Sequence, residues 1–225
     1  MLSDIARRVL PVLGHLRVTA DDAGPAPSGI APGSIVAANH SSLIDPGVVL
    51  AALARRGVRG PVVLAAAGLW RIPVLSGRLR AEGHIPVYRG DRRAADALDA
   101  AARAIAQGRV VVIYPEGRLP RRLDSGDRDP EGFRSGVARL ALATGAPVVP
   151  LGQVGARRIT SGGTAKQWAG LLTAPLRRPR LHVHVGAPIQ LTGSAAEATA
   201  QTYTAVAEAR RVAAARLTGI GASHR

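Results

Sequence analysis

The chain has 225 residues, a hydrophobic fraction of 47% and a formal net charge of +15. This length suits one domain with a sizeable core, and the hydrophobic fraction excludes a disordered chain. Cysteine is absent, which excludes disulfides and thiolate metal sites and agrees with a reducing, cytoplasmic setting.

The positive charge favours an anionic partner, such as a membrane surface, a phosphate-bearing substrate, an acidic carrier protein or nucleic acid. Lys166 is the only lysine, so an arginine-rich coding bias would give the same balance. No basic run is interleaved with aromatic residues, and nucleic acid is therefore not expected. The longest uncharged stretches are broken by Gly and Pro, so no membrane-spanning segment is expected either.

The first twenty residues are predicted to form an amphipathic helix and a short strand. Apolar residues recur at helical spacing from Leu2 to Leu16, and Pro11 is expected to bend or end the helix. Such a helix either lies on a membrane or packs on the core, and the pattern favours neither. Residues 1–20 are thus a possible membrane contact, and residues 21–225 the main domain.

After a Pro- and Gly-rich loop at 21–33, predicted strands and helices alternate. The strands are expected at 34–38, 61–66, 84–88, 109–114, 147–151 and 180–185. The helices are expected at 47–56, 92–107, 135–144 and 195–217, and residues 161–179 are expected to be irregular. This alternation predicts a single-domain α/β fold with a mostly parallel central sheet and helices on both faces. Functional residues should lie beyond the carboxyl ends of the strands.

One candidate pair follows the strand at 34–38. Asn39 and His40 come directly after it, and four residues separate His40 from Asp45. A histidine delivered by a buried strand, with a carboxylate opening the next helix, is a common arrangement for an acid-base pair. The alternative is structural, because Asp before Pro46 is an ordinary helix start and a lone histidine is more often a core residue.

Two further strands end in charged residues. Arg89 follows the strand at 84–88, and Glu116, Gly117 and Arg118 follow the strand at 109–114. The carboxyl ends of parallel strands meet at one edge of a sheet, so these residues are expected near His40. A base, carboxylates and arginines together predict a site for an anionic, phosphate-bearing substrate.

Other groups of polar residues point to no chemistry. His182 and His184 alternate on one strand face without an evident third ligand, so no metal site is expected. The acidic residues between 124 and 131 do not have EF-hand spacing. Ser41 and Ser42 adjoin His40, but the chain lacks the Gly-x-Ser-x-Gly elbow of a serine hydrolase.

Four blocks occur in order along the chain: Asn-His-Ser-Ser-Leu-Ile-Asp at 39–45, Gly-His-Ile-Pro-Val-Tyr-Arg at 83–89, Tyr-Pro-Glu-Gly at 114–117 and Ala-Pro-Val-Val-Pro at 146–150. Together they resemble the lysophospholipid acyltransferase family, the PlsC-type 1-acylglycerol-3-phosphate acyltransferases. The resemblance implies the glycerolipid acyltransferase fold.

It also implies transfer of a fatty acyl group from acyl-CoA or acyl carrier protein to the hydroxyl of a lysophospholipid, first of all 1-acylglycerol 3-phosphate, giving phosphatidic acid. His40 would be the general base and Asp45 its partner. The implied substrate-binding residues are Asn39, Arg89, Glu116, Gly117 and Arg118. No metal or cofactor is implied, and the protein would be cytoplasmic and peripheral on the inner face of the cell membrane, at an anionic surface.

The third block departs from the family pattern. The family continues Glu-Gly-Thr-Arg, whereas Gly117 is followed here by Arg118 and Leu119. A deletion, which we favour, makes Arg118 the phosphate ligand; otherwise Arg121 or Arg122 supplies the charge. The departure leaves open a different acceptor, such as an amino lipid or a specialised metabolite. A non-catalytic membrane- or lipid-binding protein of the same fold is the remaining alternative.

Overall fold

The computed structural model describes residues 1–21, 29–88 and 94–219. Its helices are α1 (Leu2–Leu13), α2 (Asp45–Arg55), α3 (Pro73–Ala81), α4 (Ala94–Ala106), α5 (Gly136–Thr144), α6 (Thr164–Arg177) and α7 (Ala195–Gly219). Its strands are β1 (His15–Ala20), β2 (Ile35–Ala38), β3 (Val62–Ala66), β4 (Ile85–Val87), β5 (Val111–Ile113), β6 (Val148–Val154) and β7 (Arg180–Val185). Short 3₁₀ helices occupy Ala67–Arg71 and Ala156–Arg158.

The strands form one sheet in the order β1-β7-β6-β2-β5-β3-β4. Neighbouring strands are parallel except β6 and β7, which are antiparallel. The predicted mostly parallel α/β sheet is therefore confirmed. Because β6, β2 and β5 are adjacent and parallel, the residues after β2 and β5 emerge at the same edge.

Helices cover both faces of the sheet, as predicted. Alternate residues of β2 face opposite layers: Val36 and Ala38 join the core with α1, α2 and α6, while Ile35 and Ala37 join the core with α4, α5 and α7. This period of two is what a strand buried on both sides requires. It also explains why β2, β3 and β5 are apolar throughout.

Residues 1–20 are built into this fold. β1 is an edge strand that pairs in parallel with β7 from His15 to Ala20. α1 packs against α2 and buries Leu10. Its opposite side leaves Ile5, Val9 and Val12 exposed, so core packing occupies one side of the helix only.

Three local predictions were wrong. Residues 161–179 are not irregular, because α6 occupies most of them; α1 also continues through Pro11. Pro11 and Pro175 each lie in the last turn of their helix, and only two helical residues follow each of them. β6 extends to Val154, beyond the predicted end at 151, because residues 151–154 pair antiparallel with β7. Gly152 within this stretch lets the α7 backbone at Ala209 and Arg210 approach closely.

Candidate active site

His40 and Asp45 form a hydrogen-bonded pair just beyond the end of β2. The distance between His40 Nδ1 and Asp45 Oδ2 is 3.0 Å. Asp45 is fully buried, while the His40 side chain keeps 13% exposure. An ionised carboxylate only accepts hydrogen bonds, so Nδ1 carries the hydrogen and Nε2 holds the free lone pair. This arrangement leaves the Nε2 lone pair free to accept a proton.

The Asp45 carboxylate turns back toward the loop that carries His40. Its Oδ2 accepts hydrogen bonds from the backbone N–H groups of Ser41 and Ser42, the latter at 2.7 Å. Asp45 is the first residue of α2, but Ile44 occupies the cap position and makes no side-chain capping bond. The hydrogen bonds of the carboxylate therefore go to the 40–42 loop, while its position in the first turn of α2 also suits the helix dipole.

Glu116 holds the same loop from the neighbouring strand. Its Oε1 accepts the backbone N–H of His40 at 2.7 Å, and its Oε2 accepts the backbone N–H of Glu131 at 3.2 Å. Burial raises the pKa of Glu116 to about 7, although both backbone hydrogen bonds oppose the shift. Glu116 thus connects the loop after β2 with the loop after β5.

Tyr114 covers one face of the His40 ring. The two ring centroids are 4.4 Å apart and the ring planes meet at 30°. Tyr114 is buried, and its hydroxyl has no hydrogen-bond partner among the described residues. Burial raises the pKa of Tyr114, so the phenol stays neutral. Its contribution at the site is the packing of its ring against the imidazole.

Asn39 is bound to β6. Its Nδ2 donates to the carbonyl of Gln153 at 3.1 Å, and its Oδ1 accepts the Gln153 N–H at 2.7 Å. The Gln153 side chain returns a bond from Nε2 to the Asn39 carbonyl at 3.0 Å. These three bonds extend the contact of β2 with β6 past the end of the ladder and orient the chain entering His40.

Buried Arg157 connects the loop after Pro120 to the loop that carries His40. Arg157 donates to the carbonyl of Ser41 at 2.7 Å and to the carbonyls of Arg122 and Asp124. Its residue exposure is 3%. Beside it, the Ser42 hydroxyl donates to the Thr160 carbonyl at 2.9 Å. The segment after β6 thus supports both loops.

A small pocket, with a cavity of about 20 Å³, opens at His40 between these loops. Its lining comes from the 39–41 segment, Glu116 and the 120–131 loop, including Arg122 and Arg128. Arg118 lies outside the lining; it is half-exposed and forms an ion pair with Glu131 at 3.3 Å. Arg89 falls outside the described residues.

Gly117 has a structural reason to be glycine. Its φ is +70°, a conformation that favours glycine, and a Cβ here would clash with the Arg134 side chain. Its N–H donates to the Tyr114 carbonyl at 3.0 Å. That N–H is consequently used within the turn and does not point at a substrate.

His182 and His184 lie away from this pocket, on β7. The Thr19 hydroxyl lies 3.0 Å from a ring nitrogen of each. Burial lowers the pKa of His182 to about 4, with the adjacent His184 adding to the effect. Within residues 1–21, 29–88 and 94–219, no three His, Asp or Glu side chains gather as a metal site would require.

Tyr114 was not predicted as a ring partner, and Gln153, Arg157 and Thr160 were not predicted at all. Gln153 lies near the end of β6, Arg157 and Thr160 follow that strand, and β6 pairs directly with β2. The sequence signal that could have pointed to them is that they are polar residues after an apolar run. The predicted β6 ended at 151, which placed them in a separate segment.

Comparison with known proteins identifies the family to which this fold belongs. Residues 15–154 match the family described as Acyltransferase, and the chain belongs to this family. It is accordingly an acyltransferase.

A solved structure shares the fold over the whole chain. The crystal structure of the 1-acyl-sn-glycerophosphate (LPA) acyltransferase PlsC from Thermotoga maritima superposes with a TM-score of 0.68. The two sequences are 19% identical, and the alignment covers 100% of this chain and 80% of the other. No curated protein sequence matches this chain. Among the described helices, none is long and apolar enough to cross a bilayer.

Proposed function

We propose that this acyltransferase moves a fatty acyl group from acyl-CoA or acyl carrier protein to the hydroxyl of a lysophospholipid, most directly 1-acylglycerol 3-phosphate, giving phosphatidic acid. The observation that carries this proposal is the His40–Asp45 pair, 3.0 Å apart at the mouth of a pocket with arginines in its wall. The T. maritima protein of the same fold is named for this acceptor. We propose that the reaction needs no metal or redox cofactor.

In the proposed mechanism the acceptor itself is the nucleophile. His40 Nε2 removes the proton from the acceptor hydroxyl as its oxygen attacks the thioester carbonyl. Asp45 stabilises the resulting imidazolium through Nδ1. The carbon–sulfur bond then breaks, and His40 returns the proton to the departing thiolate. An ester and a free thiol are the products.

The remaining site residues position this base. Glu116 accepts the backbone N–H of His40, and the Asn39 side chain binds the backbone of Gln153 in β6, so both residues fix the path of the 39–42 loop. Gly117 forms the turn after β5 that places Glu116. We therefore assign these three residues to positioning, although the family resemblance suggests direct substrate contact.

We assign the acceptor phosphate to the arginines at the pocket, with Arg122 first. Arg122 and Arg128 line the same pocket as His40, and Arg157 fixes the backbone of Arg122. Both Arg122 and Arg118 are ion-paired, with Asp124 at 2.9 Å and with Glu131 at 3.3 Å, so Arg122 is preferred only because it lines the pocket and Arg118 does not. Planar guanidinium groups suit phosphate because they donate two hydrogen bonds to it. Arg89 remains a further candidate from the family pattern.

Release of free thiol tests the enzyme assignment. Purified protein is mixed with acyl-CoA or acyl carrier protein and with acceptors that differ only in the phosphate. We expect turnover with 1-acylglycerol 3-phosphate and a loss of at least 10²-fold in His40→Ala, since a positioned base contributes about 10²–10⁴-fold. His15→Ala is the matched control, because His15 is exposed on β1 away from the pocket.

Two results would contradict the proposal. Equal turnover by His40→Ala and wild type would exclude the mechanism. Turnover confined to acceptors without phosphate would exclude the lysophosphatidate assignment and favour the alternative acceptors, such as an amino lipid. An arginine test accompanies this screen: Arg122→Gln should raise KM for the phosphate-bearing acceptor more than Arg118→Gln does.

The acceptor and product are membrane lipids, so we propose that the protein works at the inner face of the cell membrane. The net charge of +15 favours an anionic surface, where each arginine near the lipid contributes about 1 kcal/mol.

A further inference from the structure

The outer side of α6 is an unusually apolar surface. Trp168, Leu172 and Leu176 are 61%, 75% and 89% exposed. Their spacing of four residues places them on one side of the helix. The other side of α6 packs on the protein core through Ala174 and Leu171. We call the three exposed residues the α6 face.

α1 lies beside α6 and carries a similar exposed row. Ile5, Val9 and Val12 are exposed, while Leu10 is buried. The two helices are in contact, and Arg178 donates a hydrogen bond to the Pro11 carbonyl at 3.1 Å. The apolar rows of the two helices therefore belong to the same layer of the molecule.

The charges around these rows favour an anionic lipid surface over a protein. α6 contains no Asp or Glu, and exposed Lys166, Arg177 and Arg178 flank its apolar face. α1 adds exposed Arg7 and Arg8. A second copy of the chain docked on this surface would place arginines against arginines. Exposed apolar residues bordered by basic residues are typical of helices that lie in a membrane interface.

The α6 face is also connected to the pocket. The turn that leads into α6 touches the 122–124 loop: a Cβ on Gly162 would lie 3.4 Å from the Leu123 carbonyl oxygen. Leu123 is 67% exposed, and the preceding Arg122 lines the pocket. The cavity at His40 measures only about 20 Å³, far below the roughly 300–1,000 Å³ of pockets that enclose drug-sized ligands, so an acyl chain must extend beyond it.

We propose that the α6 face, continued by the exposed row of α1, is the surface through which this protein docks on anionic membrane. Docking there places Leu123 and the mouth of the pocket at the lipid, so that an acceptor reaches His40 while its acyl chain stays in the bilayer. The access route rests on the proposed function. The docking surface itself is tested without catalysis.

Vesicle flotation measures docking directly. The probes are vesicles of phosphatidylcholine alone and vesicles containing phosphatidylglycerol. We expect wild type to float with the anionic vesicles and the double variant Leu172→Gln, Leu176→Gln to bind at least tenfold less. Its matched control is Leu172→Met, Leu176→Met, which keeps the apolar surface and the helix propensity and should float as wild type does.

A fluorescence measurement locates the contact. The chain has two tryptophans, Trp70 and Trp168, so Trp70→Phe leaves a single reporter on α6. Its emission should shift to the blue with anionic vesicles and be quenched by brominated lipid. Flotation of the Gln variant at the wild-type level, or an unchanged Trp168 spectrum on bound vesicles, would overturn the proposal. A wild-type dimer in solution that the Gln variant dissociates would overturn it in favour of self-association.

Activity separates this proposal from the previous one. With a water-soluble short-chain acceptor, the Gln variant should turn over as wild type does. With a long-chain acceptor in anionic vesicles, it should lose at least tenfold. If wild type floats but releases no thiol with any acceptor, the acyl-transfer proposal fails while the docking surface stands.

Discussion

Replacing Asp45 by Asn tests the proposed role of the buried carboxylate. An Asn oxygen can still accept the N–H groups of Ser41 and Ser42, but it lacks the charge that stabilises a protonated His40. In the Ser-His-Asp template this change costs about 10⁴-fold, and general-base catalysis contributes about 10²–10⁴-fold. We expect kcat/KM to fall by about 10²–10⁴-fold, equivalent to about 3–5 kcal/mol of transition-state stabilisation.

The same substitution should affect stability much less. The hydrogen bonds to Asp45 change from charge-assisted to neutral, a difference of about 1–2 kcal/mol. For a chain of this size the melting temperature should fall by about 2–8 °C. Thiol release is therefore measured at 25 °C, where the variant remains folded, and a thermal melt accompanies each preparation.

A double-mutant cycle separates a catalytic partner from a structural acid. If Asp45 acts through His40, Asp45→Asn should have little further effect on turnover in the His40→Ala protein. A folded Asp45→Asn enzyme with kcat/KM within threefold of wild type would refute the reasoning. If the fold-losses in kcat/KM of the two single variants multiply in the double variant, the reasoning is also refuted, because Asp45 would then act independently of His40.

Three other substitutions have expected outcomes. Burial raises the Glu116 pKa from 4.5 to about 7. The unfolding free energy of wild type, measured relative to Glu116→Gln by urea titration, should therefore fall by about 3 kcal/mol as pH rises from 4.5 to 7. Parallel pH profiles of the two proteins would contradict this. Tyr114→Phe removes a buried, unpaired hydroxyl and should stabilise the fold by about 1–2 kcal/mol in urea titrations, with turnover retained. A loss of stability would mean that the hydroxyl has a hydrogen-bond partner. Gly152→Ala adds a Cβ against the α7 backbone and should destabilise by more than about 3 kcal/mol in thermal melts, as overpacking of a rigid contact does; a wild-type melt would mean that α7 can shift.

The sheet could be predicted from sequence because its signals are local. Each central strand is a short apolar run with a turn after it, and helical spacing fills most of the intervals. The His40–Asp45 pair could also be predicted, since the two residues are only five positions apart in the sequence. α6 was missed because Gly162, Gly163, Gly170 and Pro175 resemble breaks. Gly162 and Gly163 precede the helix, and Pro175 lies in its last turn.

The support of the site could not be predicted, because it depends on contacts between distant segments. Arg157 and Arg158 are adjacent in sequence, and a basic pair of this kind is usually solvated. Only Arg157 is buried, where it binds the carbonyl of Ser41, 116 residues away. Gln153 and Asn39 are 114 residues apart. No periodicity or spacing reports such pairs, because they arise only once β6 lies beside β2.

The arrangement of three adjacent strands explains why the family blocks are dispersed along the chain. Asn39 is fixed by the end of β6, the His40 N–H by Glu116 after β5, and the Ser42 hydroxyl by Thr160 beyond β6. The loop after β2 is thus held by residues at or beyond the ends of both neighbouring strands, β5 and β6, while Asp45 binds the His40 ring. A substitution at Gln153 or Thr160 should therefore lower turnover without altering acceptor specificity, because it displaces the base and leaves the arginine wall of the pocket in place.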